Sequence, residues 1–218
     1  MCYSATASFI AGVSLLAIGV VTVKKARQNN EIPLAMIPLL FGVQQIIEGV
    51  LWLSFKFEAA LLNVIMTYAF TLFSHVLWPV LVPLAIGLVE TVAWRKKVIS
   101  AFRITGAAVG LYLFYFIAAN PITSEINVNV LYIFPHFHKP PLLALYVAAT
   151  CVSAFFSSSR MINLFGVMAL LSFIAAYWFY TAAFFSVWCF FSAILSTVIF
   201  LHFKSRNGRL SDLAYQHT

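Results

Sequence analysis

Apolar positions form seven long runs along the chain, and short polar stretches separate them. A transmembrane helix needs about 20 mostly apolar residues to cross a bilayer. The runs therefore predict an all-α membrane protein, a seven-transmembrane helix bundle. The predicted spans are 5–23, 33–55, 59–93, 98–119, 141–159, 161–180 and 182–203.

The first run begins almost at Met1, and its basic residues follow it. A cleavable signal peptide has the opposite order, so we expect this run to remain as the first helix. Neither an internal repeat nor a second domain is evident in the pattern. We expect one seven-helix transmembrane domain over residues 1–204 and a short cytoplasmic tail over residues 205–218.

The third run, 59–93, is longer than one crossing requires, and Pro79 and Pro83 interrupt it. Two short helices in a hairpin would place the basic residues 95–97 on the outer side. A single helix, kinked where the prolines remove backbone donors, keeps them on the inner side. We predict the kinked single helix.

The longest connection, 120–140, lies between the fourth and fifth runs. Its segment "INVNV" alternates apolar and polar residues as a strand does. We therefore predict a small β-hairpin on the outer side of the bundle, which ends at Pro135, Pro140 and Pro141.

Charge gives the orientation of the bundle. With the N-terminus outside and the C-terminus inside, eleven basic residues lie in inner segments and two, Lys56 and Lys139, in outer ones. Basic residues concentrate on the cytoplasmic side of membrane helices. The net charge of +7 thus reflects topology and no nucleic-acid binding. A charged fraction of 9% and a mean hydropathy of +0.97 make membrane lipid the solvent.

A polar cluster lies within the second run, in "FGVQQIIEGVLW". At about 100° per residue, Phe41, Gln44, Gln45, Glu48 and Trp52 share one narrow helix face. That face is expected to point into the bundle, because lipid offers polar groups no partner. It predicts an outward-facing intramembrane site that binds a small ligand, ion or proton, as in a sensor or transporter. Alternatively, Gln44, Gln45 and Glu48 join helices by hydrogen bonds, with Glu48 protonated.

Other candidate groups favour a second hypothesis, a membrane-embedded enzyme or metalloprotein. Cys2 could supply a thiol, which together with Glu48 and an outer-loop histidine could act as a nucleophile or hold a metal. The remaining candidates of this kind are Cys189, His136, His138 and His75. Each also has an ordinary structural interpretation, since buried Cys is usually a small hydrophobe.

The sequence lacks the residues that several classes of membrane protein require. The last run has no lysine for a retinal Schiff base, and the chain has neither a phosphate-binding loop nor an H-E-x-x-H motif. His75 and His202 could together ligate haem, but their spacing selects no cofactor. A third hypothesis is a structural or assembly protein of the membrane.

Four segments in order, "MCYSATASF", "FGVQQIIEGVLW", "LWPVLVPLA" and "SVWCFF", resemble an uncharacterised family of bacterial membrane proteins. Its members begin with an "MCFSATASF"-type sequence, and Tyr3 stands where Phe is common. The resemblance implies a seven-helix fold in the bacterial inner (plasma) membrane. It implies no activity.

Overall fold

A computed structural model of the chain describes residues 4–126, 129–133, 140–179 and 183–205. These residues are mostly helical. The helices are α1 (Ala5–Lys25), α2 (Asn29–Lys56), α3 (Ala60–Val89), α4 (Ala93–Ala119), α5 (Pro140–Phe156), α6 (Arg160–Phe179) and α7, which begins at Phe184 and has its apolar span at Ser186–Ser205. All but α5 are long and apolar enough to cross a membrane.

Helices α1 and α2 pack closely through small residues. Ser4 starts α1, where its hydroxyl accepts a hydrogen bond from Ala7 N at 3.2 Å. Farther along, a Cβ on Gly19 would lie 2.5 Å from the backbone of Leu39, so only glycine allows this approach. Small residues let membrane helices gain van der Waals contact that lipid cannot supply. The buried residues Ser8 and Gly12 lie on the same side of α1 as Gly19.

Helix α3 is one continuous helical span. This confirms the prediction of a single helix and not of two short helices. The helix changes to a π-helical turn at Leu72–Leu77, which ends two residues before Pro79. A π-helical bond to the Ser74 carbonyl would come from residue 79, but proline has no N–H. The hydroxyl of Tyr146 in α5 donates to that carbonyl instead. The break in α3 is therefore compensated by a neighbouring helix.

The second proline has a similar consequence. Pro83 cannot donate to the carbonyl of Pro79 four residues earlier. Gly106 of α4 lies directly against this carbonyl, and a Cβ there would stand 1.9 Å from its oxygen. Glycine at position 106 therefore fixes the distance between α3 and α4.

The predicted hairpin is present. Strands β1 (Thr123–Ile126) and β2 (Val130–Ile133) pair antiparallel, with Thr123 opposite Ile133. Ser124 Oγ lies 2.7 Å from Thr67 Oγ1 of α3. The Tyr132 ring stacks on Phe70 at a centroid distance of 4.4 Å. We call this side of the bundle, with the connection 57–59 and the two strands, the hairpin end.

The opposite side, the basic end, joins the connections 26–28, 90–92 and 157–159. Asn30 Nδ2 donates to the Leu88 carbonyl at 3.2 Å, and Arg95 donates to the Ser157 carbonyl at 2.7 Å. His202 Nδ1 of α7 lies 3.0 Å from Ser159 Oγ. Consecutive helices thus alternate between two ends, and α5 runs from the hairpin end to the basic end, as α1, α3 and α7 do.

The fifth predicted span, 141–159, is too long. The α-helix of α5 stops at Thr150, a 3₁₀-helix follows over Val152–Phe156, and residues 157–159 form a connection. A cluster of serines ends the helix, because their polar groups bond to the loop backbone more easily than they enter lipid. The fourth span begins at Ala93, five residues earlier than predicted, so its basic cluster lies inside the helix.

Candidate functional site

The polar face of α2 is enclosed by the bundle. Gln44, Gln45 and Glu48 each have 0% exposure, and 61% of the α2 span is buried against 28% of α1. The sequence-based prediction that this face points inward is confirmed. Buried amides and carboxyls need hydrogen bonds from neighbouring helices, from water or from a ligand.

Gln44 is held by α3. The indole Nε1 of Trp78 donates to Gln44 Oε1 at 2.7 Å. The Trp78 ring stacks on Phe41 with a centroid distance of 3.8 Å and an interplanar angle of 18°. Trp78 follows the π-helical turn directly, and that irregular turn thus belongs to the segment that positions its ring.

Glu48 is held by α7. Ser186 Oγ donates to Glu48 Oε1 at 2.5 Å. Cys189, one turn farther along α7, lies beside the Gln44 amide and within electrostatic range of Glu48. Cys189, Gln44 and Glu48 therefore lie at a similar depth in the bundle. Helices α2, α3 and α7 therefore meet at one polar cluster.

On the hairpin-end side of the Trp78–Gln44 hydrogen bond, Gln45, Trp52 and Ser8 have buried polar atoms without a hydrogen-bond partner among the described residues. These atoms are both amide atoms of Gln45, the indole Nε1 of Trp52 and the hydroxyl of Ser8. In the packing of α1 on α2, Phe9 contacts the position of Gly49, so Ser8 lies level with the turn between Gln45 and Trp52. These atoms and Glu48 define what we call the outer polar cluster.

His75 lies in the π-helical turn and is 1% exposed. Its Nδ1 is 2.7 Å from Ser74 Oγ. His75 precedes Trp78 in α3 and Glu48 follows Gln44 in α2, each by about one turn, and the two helices run antiparallel. Both titratable groups therefore lie on the hairpin-end side of the Trp78–Gln44 hydrogen bond.

A small cavity of about 30 Å³ lies beside the Trp78–Gln44 hydrogen bond. Its wall is mostly apolar and comes from α2, α3, α5, α6 and α7, including Phe41, Trp78, Tyr146, Cys151 and Cys189. A volume of this size holds one or two water molecules. Phe41 lines this void, and Gln45, Glu48 and Trp52 do not.

The metal and cofactor hypotheses receive little from the geometry. Cys2, His136 and His138 lie outside the described residues. Within the described ranges, no group of three or more His, Cys, Asp or Glu side chains could hold a metal ion. His202 lies at the basic end, about 20 Å along the bundle from His75, because His75 is fourteen residues from the end of α3. One haem iron cannot bind both.

Several site residues were not predicted from the sequence, namely Ser8, Ser74, Trp78, Tyr146 and Ser186. Ser186 and Cys189 are three residues apart in "SVWCFF", which places them on one helix face. That spacing was the available signal for a second polar helix face opposite Glu48. The sequence contains no such signal for Tyr146, because its role depends on the break in α3.

The architecture and the site together define a class, a polytopic helical bundle whose central helices bury a polar cluster. Six of its helices fit an integral membrane protein. The chain belongs to the family of unknown function DUF6629, whose model matches residues 1–214. Neither a curated protein nor a solved structure matches it.

Proposed function

We propose that this chain is an integral membrane protein that crosses the bacterial inner membrane seven times, with its N-terminus outside. The alternation of the helices between two ends supports seven crossings. Helix α5 adds about 27 Å, from eleven α-helical and five 3₁₀ residues, close to the hydrocarbon thickness of about 30 Å. The bacterial location rests on the resemblance of its four sequence segments.

The distribution of basic residues supports the orientation. Lys24, Lys25, Arg27, Arg95, Lys96, Lys97, Arg160 and Lys204 lie at or near the basic end, against Lys56 at the hairpin end among the described residues. The basic end therefore faces the cytoplasm.

We further propose that the outer polar cluster binds a small ligand, ion or proton that enters from the outer side. The observation that carries this proposal is the set of unpartnered polar atoms on Gln45, Trp52 and Ser8 beside Glu48. A buried polar group without a partner costs about 1–3 kcal/mol, so several in one place favour an occupant that satisfies them. Glu48 lies eight residues before Lys56, about 12 Å from the hairpin end.

The cluster has the groups for such binding. Gln45 offers two N–H donors and an acceptor oxygen, Trp52 offers a donor, and the Ser8 hydroxyl can donate or accept. Glu48 adds a group that carries a proton or faces a cation, since a lone charge in this environment is costly. Acidic groups within membrane helices commonly belong to ion and proton pathways.

Infrared difference spectroscopy tests the proposal on the purified protein. We expect a carboxyl signal when the buffer pH is stepped, or when Na⁺ or K⁺ is added at constant pH. Glu48→Gln should remove that signal, and Glu125→Gln, which changes an exposed strand residue, should keep it. A wild-type spectrum without any signal dependent on Glu48 would show a closed, dry site and end the proposal.

Gln45→Leu separates a binding role from a structural one. If Gln45 serves an occupant, the variant loses the response at Glu48 while its thermal stability stays equal or rises, because an unpartnered amide is removed. If Gln45 instead joins helices, the variant becomes less stable. Thermal unfolding in detergent distinguishes the two results.

A further inference from the structure

A second, larger recess lies outside the polar cluster, between α3 and α4. It is about 340 Å³ in volume and is lined by Val80, Leu84, Ser100, Arg103, Ile104 and Ala107. Ile104 is 71% exposed, so the recess opens on the face that the bundle turns to lipid. We call it the α3–α4 groove.

Arg103 is the one charged residue in the wall of the groove. Gly106 lies against Pro79 and Pro83, and α3 and α4 run antiparallel. The backbone of Arg103 therefore lies about one helical turn from Gly87, on the side of the hairpin end. Yet Arg103 Cδ is 3.2 Å from the Cβ position of Gly87. The side chain therefore runs toward the basic end, as an arginine does when its charged group reaches for the membrane surface.

The guanidinium of Arg103 has no hydrogen bond or ion pair with any residue that the structure describes. The two carboxylates that the structure describes at the basic end are already engaged. Glu90 accepts hydrogen bonds from Thr91, Val92 and Ser158, and Glu31 accepts one from Arg27 N at 2.8 Å. The positive charge in the groove thus calls for an anion from outside the protein.

More polar groups lie on the same stripe of α4. Lys96, Ser100, Arg103 and Ala107 are spaced by four, three and four residues, so they share one helix face. Lys96 and Ser100 are exposed. Between Lys96 and Arg103 lie about 10 Å of helix, and Ser100 stands between them with a hydroxyl donor.

We propose that the α3–α4 groove binds an anionic phospholipid of the cytoplasmic leaflet. Its phosphate lies between Arg103, Ser100 and Lys96, and an acyl chain lies along Leu84, Ile104 and Ala107. The apolar walls and the lipid-facing opening favour a phospholipid over a soluble phosphate. Basic recesses between membrane helices on the cytoplasmic side are suited to such headgroups. This proposal is independent of the outer polar cluster.

Native mass spectrometry of the full chain in detergent tests it, with phosphatidylglycerol and phosphatidylcholine as probes. We expect the wild type to bind phosphatidylglycerol preferentially. Arg103→Gln should bind it about fivefold more weakly, since one basic residue near the membrane surface contributes that much. Lys56→Gln removes an equal charge at the hairpin end and should bind like the wild type. Equal binding by Arg103→Gln, or equal weakening by Lys56→Gln, would overturn the proposal.

Ala107→Phe fills the groove and keeps every charge, so it is informative even if Arg103→Gln does not fold. We expect it to lose phosphatidylglycerol as well. Retained binding in Ala107→Phe would mean that surface charge alone attracts the lipid, and would refute the groove. Excess inorganic phosphate should leave the lipid bound. Displacement by phosphate would identify a soluble-anion site and refute a lipid site.

Discussion

At the scale of single residues, the polar groups Gln44 and Glu48 of α2 depend on hydrogen bonds from helices that are distant in the sequence. Trp78 reaches Gln44 across 34 positions and Ser186 reaches Glu48 across 138. Hydrogen bonds between membrane helices contribute modestly, because the separated helices also find partners. These two hydrogen bonds therefore determine where α2, α3 and α7 meet more than they stabilise the bundle.

Trp78→Phe should destabilise the protein by about 1–3 kcal/mol. The variant keeps an aromatic ring against Phe41 but removes the donor to Gln44, whose oxygen then stays buried without a partner. Thermal unfolding in detergent, followed by tryptophan fluorescence, measures the change. Trp94→Phe is the matched control, since Trp94 is 55% exposed. Equal stability of the two variants would mean that the Trp78–Gln44 bond contributes nothing.

Ser186→Ala should shift the Glu48 carboxyl band to higher frequency in the infrared spectrum. The shift is expected because the hydroxyl that donates to Glu48 Oε1 is removed. Ser172→Ala is the control, because that hydroxyl bonds to the Ala169 carbonyl within its own helix. An unshifted band in Ser186→Ala would contradict the observed pairing.

At the scale of elements, the prediction succeeded where a single helix determines the outcome. The polar face of α2 could be predicted because its five residues recur at helical spacing, and that spacing alone settles which way Gln44 and Glu48 point. Helix ends in Ser-rich connections were less predictable. The end of α5 depends on bonds to Glu90 and Arg95, which are more than sixty positions away in sequence.

The π-helical turn of α3 shows why the remaining details could not be predicted. Pro79 announced a break, but the kind of break depends on Tyr146, whose hydroxyl bonds to the Ser74 carbonyl. A sequence pattern within one helix carries no information about such a donor on another. Trp78, which donates to Gln44, follows this turn directly in the chain.

Gly106→Ala should disrupt the packing of α3 on α4. The added methyl would stand 1.9 Å from the Pro79 oxygen, so one helix must shift. We expect a loss of about 3 kcal/mol or more, or failure to accumulate in the membrane. Gly87→Ala is the matched control, because its methyl would meet side-chain atoms and no backbone atom, namely Arg103 Cδ and Ile99 Cγ2, each at 3.2 Å. Thermal unfolding compares them, and equal stabilities would refute the tight contact.

At the scale of the whole molecule, Glu90 fastens the basic end. It is 2% exposed, and its carboxylate accepts hydrogen bonds from the backbone of Thr91, Val92 and Ser158 at 2.7–3.1 Å. Burial acts to raise the pKa of Glu90, but the three backbone donors outweigh it and lower the pKa below the ordinary value of 4.5. One side chain thus joins the connection after α3 to the connection after α5.

This lowered pKa predicts a pH dependence. The stabilisation by Glu90 is complete above its unfolded-state pKa, and is lost as the pH falls through the lower native pKa. Glu90→Gln should therefore be less stable than the wild type at neutral pH, and the difference should shrink as the pH falls below 4.5 and vanish below the lowered native pKa. Thermal unfolding over this pH range measures it, with Glu125→Gln as the exposed control. A difference that stays constant down to acid pH would contradict this role.

The proposed orientation predicts the behaviour of truncated fusions in a bacterial host. Alkaline phosphatase fused after residue 120 should be active, because that end lies outside. The same enzyme fused after residue 159 should be inactive, since α5 returns the chain to the cytoplasmic side. A fluorescent protein fused at each position gives the reciprocal readout. Phosphatase activity after residue 159 would show that α5 does not cross.

The long separation between Glu48 and Ser186 has a consequence for biogenesis. Ribosomes add about 5–20 residues per second, so roughly ten seconds pass between the synthesis of the acid and that of its hydroxyl. During this interval α2 has already been synthesised, but Glu48 lacks the hydroxyl of Ser186 that later donates to it. A nascent chain that stops before α7 would leave Glu48 without this donor, and membrane proteases could then recognise the exposed carboxyl group as a sign of an incomplete protein.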